Sequence, residues 1–340
     1  MPEYSVVVPV FDEEDALPEL LRRLKAVADG LDGTVEVILV DDGSRDRSHD
    51  VMMEARRMDP RIKVIRLSRN FGHQIAITAG LDRAVGRAVV VMDADLQDPP
   101  ELIPEMARQW RDGFDVVYAV RRERGADPVL KRWTASLFYG VLRRLTELEL
   151  PINAGDYRLV DRKALDAFKQ MRERNRYVRG MFRWVGFRQT GVEYAREERY
   201  AGHTKYPFGK MMRLAIDAIV SFSDAPLRVA LNLGFVLAAL SILLGGAAIA
   251  LKLAGVYTVP GWTSIIVTIA FLGGVQLLVL GVIGEYIARI QDEVRQRPLY
   301  VTRELHGIDG ELLGRADGRS QPEPESAPAP VGAPLPLTLE

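Results

Sequence analysis

The run Val89-Val90-Val91-Met92-Asp93-Ala94-Asp95-Leu96-Gln97-Asp98-Pro99-Pro100 sets two carboxylates, two residues apart, where an apolar strand ends. That pattern suits a hard divalent ion. Magnesium and manganese take oxygen ligands, and one or two carboxylates hold such an ion while leaving positions open for a substrate's phosphate oxygens. A bare Asp-x-Asp arises by chance in a chain with 46 acidic residues, so its weight rests on the elements around it.

Those elements alternate. Residues 4–10, 35–40, 63–67, 88–92 and 116–120 are short runs rich in Val and Ile, and helical patterns over 16–28, 47–58 and 74–84 separate the first four. Such alternation predicts an α/β domain with a mostly parallel sheet and helices on both faces. Ligands of open α/β sheets bind outside the carboxyl ends of the strands. Strand one runs out into Phe11-Asp12-Glu13-Glu14, strand two into Asp41-Asp42-Gly43-Ser44, and strand four into Asp93-Ala94-Asp95. Any one cluster could be an ordinary turn, since Asp and Gly favour turns. Three at carboxyl strand ends predict a shared rim.

Charge and hydropathy divide the chain. Residues 1–120 carry 15 basic against 23 acidic side chains, and residues 121–213 carry 22 against 11, so the second segment is built to meet anions. No cysteine is present, which rules out disulfides and thiolate metal sites. Met1-Pro2-Glu3-Tyr4 shows no signal-peptide pattern, and the chain is expected to start in the cytosol. Residues 229–250 and 265–284 hold no charged side chain, and each run is long enough to span a bilayer. Arg213, Arg228, Arg289, Arg295 and Arg297 flank the outer ends while only Lys252 lies near the intervening turn, which predicts an inner-membrane hairpin with both ends cytoplasmic. The expected organisation is a catalytic domain over 1–207, an amphipathic interfacial helix over 208–227, and spans at about 229–252 and 263–288 within 228–290. A C-terminal strand within 291–315, at residues 297–301 and touching a neighbouring subunit, and a Pro- and Ala-rich disordered tail over 316–340 complete it.

No P-loop and no Gly-x-Gly-x-x-Gly fingerprint follows any strand, so a bound pyrophosphate must be neutralised by metal and basic side chains. Val8-Pro9-Val10-Phe11-Asp12-Glu13-Glu14, Val40-Asp41-Asp42-Gly43-Ser44-Arg45-Asp46, Arg69-Asn70-Phe71-Gly72 and the Asp93 to Pro100 run together resemble the family-2 glycosyltransferases of GT-A fold. Within that family the chain is most similar to the polyprenyl-phosphate branch, the dolichol-phosphate mannosyl synthases and the bacterial undecaprenyl-phosphate glycosyltransferases of GtrB type. The resemblance implies an inverting transfer from a UDP- or GDP-sugar to a polyprenyl phosphate. It implies Mg2+ or Mn2+ held by Asp93, Asp95 and Gln97, with Pro9, Asp12, Glu14 and Asp42 on base and ribose. It places the acceptor phosphate among Arg121, Arg132 and Ser136, with Arg199, His203 and Lys205 on a second basic loop. A membrane-bound homo-oligomer, a tetramer in bacterial relatives, is implied as well, and no nucleic-acid partner is expected.

The chemistry of the residues agrees. Breaking a sugar-diphosphate bond builds negative charge on the leaving group, which a divalent ion stabilises, and Gln97 adds a neutral oxygen to the carboxylate pair. A phosphate monoester has a second pKa near 6, so a lipid phosphate is already ionised at neutral pH. Asp156, in Ala154-Gly155-Asp156-Tyr157-Arg158, resembles the position assigned as base in the family. As a catalytic residue it acts as base or orients substrate, and as a structural one it makes an Asx turn ahead of residues 159–171. His49, His73, His203 and His306 lack metal-ligand spacing and read as structural, and Gly180 stands where processive synthases place the Gln of Gln-x-x-Arg-Trp. The alternatives are a transferase that extends a glycan and a catalytically inactive membrane adaptor.

Overall fold

The computed structural model describes residues 2–122, 154–195, 225–254 and 261–308. β-Branched runs form the centre of an eight-stranded sheet, since such side chains pack well on a pleated surface. Its middle is parallel: β1 (Tyr4–Val10), β2 (Val35–Asp41), β3 (Ile62–Leu67) and β4 (Ala88–Val91) lie in the spatial order β4-β1-β2-β3. All residues of β1, β2 and β4 are buried. On one face lie α1 (Leu17–Gly30), α2 (Ser48–Met58) and α4 (Ile103–Arg111), contributing Leu20, Met52 and Met106 to the core. On the other lie α3 (His73–Arg83), α5 (Arg162–Gln170) and α6 (Val178–Trp184), contributing Ile77, Phe168 and Phe182. The expected strand-helix alternation is present.

Beyond β4 the sheet becomes mixed. β6 (Ala154–Asp161) inserts antiparallel between β4 and β5 (Val116–Arg121), and β7 (Gln189–Tyr194) runs parallel to β5 at the edge. This corrects the Asx-turn reading of Asp156: the residue lies inside a strand that is buried from Ala154 to Val160. The opposite edge closes with β8 (Thr302–His306), antiparallel to β3 of the same chain, rather than with residues 297–301 against a neighbour. Tyr300 goes instead into the core, where its hydroxyl donates to Asp82 Oδ2 at 3.0 Å.

Two long apolar helices precede β8. α7 (Ala225–Leu253) and α8 (Trp262–Val294) are each long and apolar enough to cross a membrane. Their large side chains face outward, Ile242 at 75% exposure and Leu277 at 71%, which excludes the buried hairpin of a soluble core. Helix α8 continues past its expected span to Val294, and its 33 residues measure about 50 Å, longer than the hydrocarbon core. The projecting end docks on the catalytic domain, where Arg174 N donates to Glu293 Oε1 at 2.7 Å and the Arg174 guanidinium reaches the Arg297 carbonyl. The amphipathic stretch over 208–224 and the tail over 316–340 lie outside the described residues.

Candidate active site

The carboxyl ends of β1, β2 and β4 meet on one rim, but their acidic residues divide the work. Asp42 is buried, and its two oxygens accept from Phe71 N at 2.7 Å and Gly72 N at 2.9 Å. Asp12, at φ 53°, accepts from Arg45 N at 2.8 Å, and Glu14 accepts from Arg47 N at 2.9 Å. Asp12 and Glu14 thus knit the first two loops together, while Asp42 ties the second to the loop after β3. Gly43, at φ 73°, lets the second loop pass the Arg69–Asn70 backbone, for a Cβ there would fall 2.7 Å from Arg69 C. Pro9 is buried in β1 opposite Val40, beyond the last β1–β4 pair.

The loop after β4 is a different kind of structure. Leu96 adopts φ 60°, a left-handed conformation that costs a side-chain-bearing residue about 1–3 kcal/mol, and Gln97 N donates to Asp95 Oδ1 at 3.1 Å. Asp93, Asp95 and Gln97 therefore share one tight turn. Asp93 Oδ1 is buried without a hydrogen-bond partner, 3.4 Å from His73 Nε2. Burial raises its pKa, as do Asp156 and Asp95, while His73 opposes them. A buried carboxylate oxygen lacking a donor, beside a second carboxylate and an amide, fits a hard divalent cation. Among the described residues no three His, Cys, Asp or Glu side chains form a metal-binding group on their own.

Register explains why Asp156 belongs here. The β4–β6 ladder ends at Val91↔Arg158, and two further residues of that antiparallel count bring Asp93 opposite Asp156. His73, at the start of α3, stands between them, 3.5 Å from Asp156 Oδ2. Gln74 Nε2 donates to the same oxygen at 3.0 Å while its Oε1 accepts from Val178 N at 2.8 Å. Arg179 Nε donates to Asp156 Oδ1 at 3.3 Å, and Arg158 Nη2 lies 3.9 Å away. Burial alone would raise the Asp156 pKa, but Arg179, His73 and Arg158 outweigh it and hold the carboxyl well below its usual range. Burial likewise opposes charge on His73, yet Asp93 and Asp156 push its pKa up to about 9. A carboxylate held this firmly ionised is a weak proton acceptor.

Arg121 closes the constellation from β5. Its Nη2 lies where a Cβ on Gly155 would come within 3.1 Å, so glycine beside Asp156 leaves room for the guanidinium. Its Nε donates to the Tyr194 hydroxyl at 3.2 Å, and that hydroxyl donates to Asp98 Oδ1 at 2.5 Å. Burial and the neighbouring Asp93 push the Asp98 pKa up to about 6. Of the expected site residues, Asp93, Asp95, Gln97, Arg121 and Asp156 gather here; Arg132, Ser136, Arg199, His203 and Lys205 lie outside the described residues.

The chain's relatives match its sequence over most of its length. "Uncharacterized glycosyltransferase YkcC" of Bacillus subtilis (strain 168) is 49% identical over 313 residues, covering 92% of this chain and 97% of the relative. The family profile Glycosyl transferase family 2 matches residues 5–168. The chain belongs to glycosyl transferase family 2. A second profile, the GtrB C-terminal hairpin, matches residues 225–290, the region of α7 and α8. "Bactoprenol glucosyl transferase" of Shigella phage SfII is 40% identical over 302 residues, 89% of this chain and 98% of the relative. A solved structure of glucosyl-3-phosphoglycerate synthase from Mycobacterium tuberculosis with UDP covers 65% of this chain and 79% of its own, at 19% identity and a TM-score of 0.44.

This family-2 glycosyltransferase thus carries the GT-A fold, and its rim uses residues that motif reading passes over. His73, Gln74, Asp98, Arg158, Arg179 and Tyr194 stand in the constellation from five separate stretches of chain. The one local signal is for His73: it follows Arg69-Asn70-Phe71-Gly72, the loop braced by Asp42, and opens a helix facing the rim. The reading of His73 as structural is corrected by its place between two site carboxylates.

Proposed function

We propose that the chain transfers a sugar from a nucleotide-diphosphate sugar to a polyprenyl phosphate at the cytoplasmic face of a membrane. The observation that carries the reading is the buried Asp93 oxygen, which has no hydrogen bond and faces His73 Nε2 at 3.4 Å, on a rim that also holds Arg121, in a chain with two helices able to cross a membrane. The bactoprenol glucosyl transferases, similar over nearly their whole length, support the lipid acceptor.

Asp93, Asp95 and Gln97 would hold Mg2+ or Mn2+, which when bound supplies Lewis-acid stabilisation of the leaving diphosphate. Arg121 presents a planar fork suited to the acceptor's phosphate oxygens. One of those oxygens forms the new bond to the sugar's anomeric carbon as the bond to the nucleoside diphosphate breaks, with inversion. The attacking oxygen is already anionic, so no proton has to be removed, and Asp156 is assigned to orienting the sugar. The docking of the α8 exit on Arg174 keeps the catalytic domain on the same side as the Arg-flanked helix ends, which supports a cytoplasmic orientation.

The test is incubation of the detergent-purified chain with Mn2+ or Mg2+, a panel of UDP- and GDP-sugars and undecaprenyl phosphate, followed by lipid mass spectrometry. The expected product is the lipid phosphate plus one sugar, lost on chelation with EDTA. Turnover confined to saccharide acceptors would overturn the assignment.

A further inference from the structure

Asp98 is the third carboxylate of the loop that carries Asp93 and Asp95, and at 1% exposure it is deeply buried. Its Oδ2 has no hydrogen-bond partner. A buried carboxylate with an idle oxygen, placed near two others, is costly to the fold and calls for a reason beyond loop geometry. The geometry supplies one. Asp98 Oδ1 takes the Tyr194 O–H at 2.5 Å, the same hydroxyl takes Arg121 Nε–H at 3.2 Å, and Arg121 Nη2 stands 4.0 Å from Asp98 Oδ1. Three elements converge on one guanidinium.

The clamp is itself braced. Tyr157 donates to the Pro99 carbonyl at 2.8 Å and meets the Tyr194 ring edge-on, with centroids 6.2 Å apart. β5 and β7 are in register at Arg121↔Tyr194, so the two side chains start from paired positions. An unrestrained arginine loses rotamer entropy when it is fixed on a ligand. Here its Nε edge is already fixed while 30% of the side chain stays exposed.

We infer that Asp98 and Tyr194 are positioning residues: they hold Arg121 ready for a phosphate monoester and tie that arginine to the loop that carries the donor-side ligands. The inference rests on Arg121 serving the acceptor, as proposed above. It adds a physical link between the donor and acceptor halves of the site, running from Gln97 through Asp98 and Tyr194 to Arg121.

The test measures two affinities on the full-length chain by calorimetry: farnesyl phosphate as a short isoprenyl phosphate, and UDP with Mn2+. Tyr194→Phe, which removes one oxygen, is expected to weaken farnesyl phosphate roughly tenfold and to leave UDP within about twofold. Asp98→Asn should act in the same direction, and Tyr194→Phe alone carries the test where that variant does not fold. In an Arg121→Ala background the Tyr194 substitution should have no further effect, since both act through one guanidinium. Equal losses for both ligands, or losses that multiply with Arg121→Ala, would mean a merely structural role and overturn the inference. If Arg121→Ala weakens farnesyl phosphate and Tyr194→Phe does not, the positioning role alone fails. If Arg121→Ala leaves it unchanged, the acceptor assignment of Arg121 fails and the positioning role with it.

Discussion

Replacing Asp156 by Asn should destabilise the catalytic domain as well as impair it. Three groups that carry or gain positive charge surround this one carboxylate: Arg179 Nε at 3.3 Å, His73 Nε2 at 3.5 Å and Arg158 Nη2 at 3.9 Å. Arg158 is 3% exposed, its hydrogen bonds go to the neutral carbonyls of Gly155 and Asp156, and its guanidinium lies 5.3 Å from the centre of the Phe182 ring. Removing the partner of a buried charge costs about 3–5 kcal/mol. At roughly 2–4 °C per kcal/mol for a domain of this size, melting should fall by about 6–20 °C. Intrinsic-fluorescence melting of the purified chain reads this directly. Because the Asp156 pKa is depressed on folding, its contribution is complete above the unfolded pKa of about 3.9 and is lost as pH falls through the folded value. The gap between wild type and variant should therefore be widest at about pH 5 to 6, narrow below about pH 4 as Asp156 protonates, and narrow again from about pH 6.5 towards 9 as the share that runs through His73 is lost. Adding Arg158→Met, which removes the stranded charge, should recover about half of the lost stability or more without restoring transfer. A fall under about 2 °C in the single variant would show that Asp156 does not compensate Arg158, and the reasoning would be wrong.

Three other outcomes are expected. Asp95→Asn should abolish sugar transfer while melting stays within about 2 °C of wild type, since Asp95 lies in a rim loop rather than in the core; transfer that persists and still responds to EDTA would refute its metal role. Gly43→Ala should weaken UDP binding at least tenfold, because φ 73° and a Cβ 2.7 Å from Arg69 C force the loop apart, and unchanged calorimetric affinity would count against that. Tyr300→Phe, which leaves Asp82 with Arg172, should cost about 0.5–1.5 kcal/mol in urea unfolding, and Tyr300→Ala about 3–5 kcal/mol; equal costs would show that packing of the ring contributes nothing.

How much of this was legible in the chain depended on whether a residue's neighbours in sequence were also its neighbours in space. β1, β2 and β4 announce themselves because nearly continuous Val-rich apolar runs of strand length suit strands buried on both faces, and Asp93 and Asp95 follow directly from where β4 stops. β6 does not. Gly155, Asp156 and Arg158 contradict strand propensity, and the strand persists because Gln74, Arg179 and His73 satisfy its charge from elsewhere. The same dependence hid His73 and Tyr194, whose roles exist only once α3 and β7 reach the rim. β8 was misplaced because the apolar residues before it, Leu299 and Tyr300, serve as an anchor in the core, while the polar run Thr302–His306 forms the ladder.

The pairing of β3 with β8 also sets an order of events in biogenesis. Arg66 and Glu304 meet across the ladder although 238 residues separate them, and both long apolar helices lie in between. At about 5–20 residues per second, a ribosome needs roughly 12–50 s to deliver the second strand after the first. Throughout that interval β3 is an open edge, exposed to wrong pairing. The sheet can be completed only after the hairpin has been synthesised and its far end has returned to the side where the domain waits. On the proposed membrane topology, closure of β8 on β3 would report correct insertion, because a hairpin delivered in the wrong orientation would leave the closing strand across the bilayer and the β3 edge open.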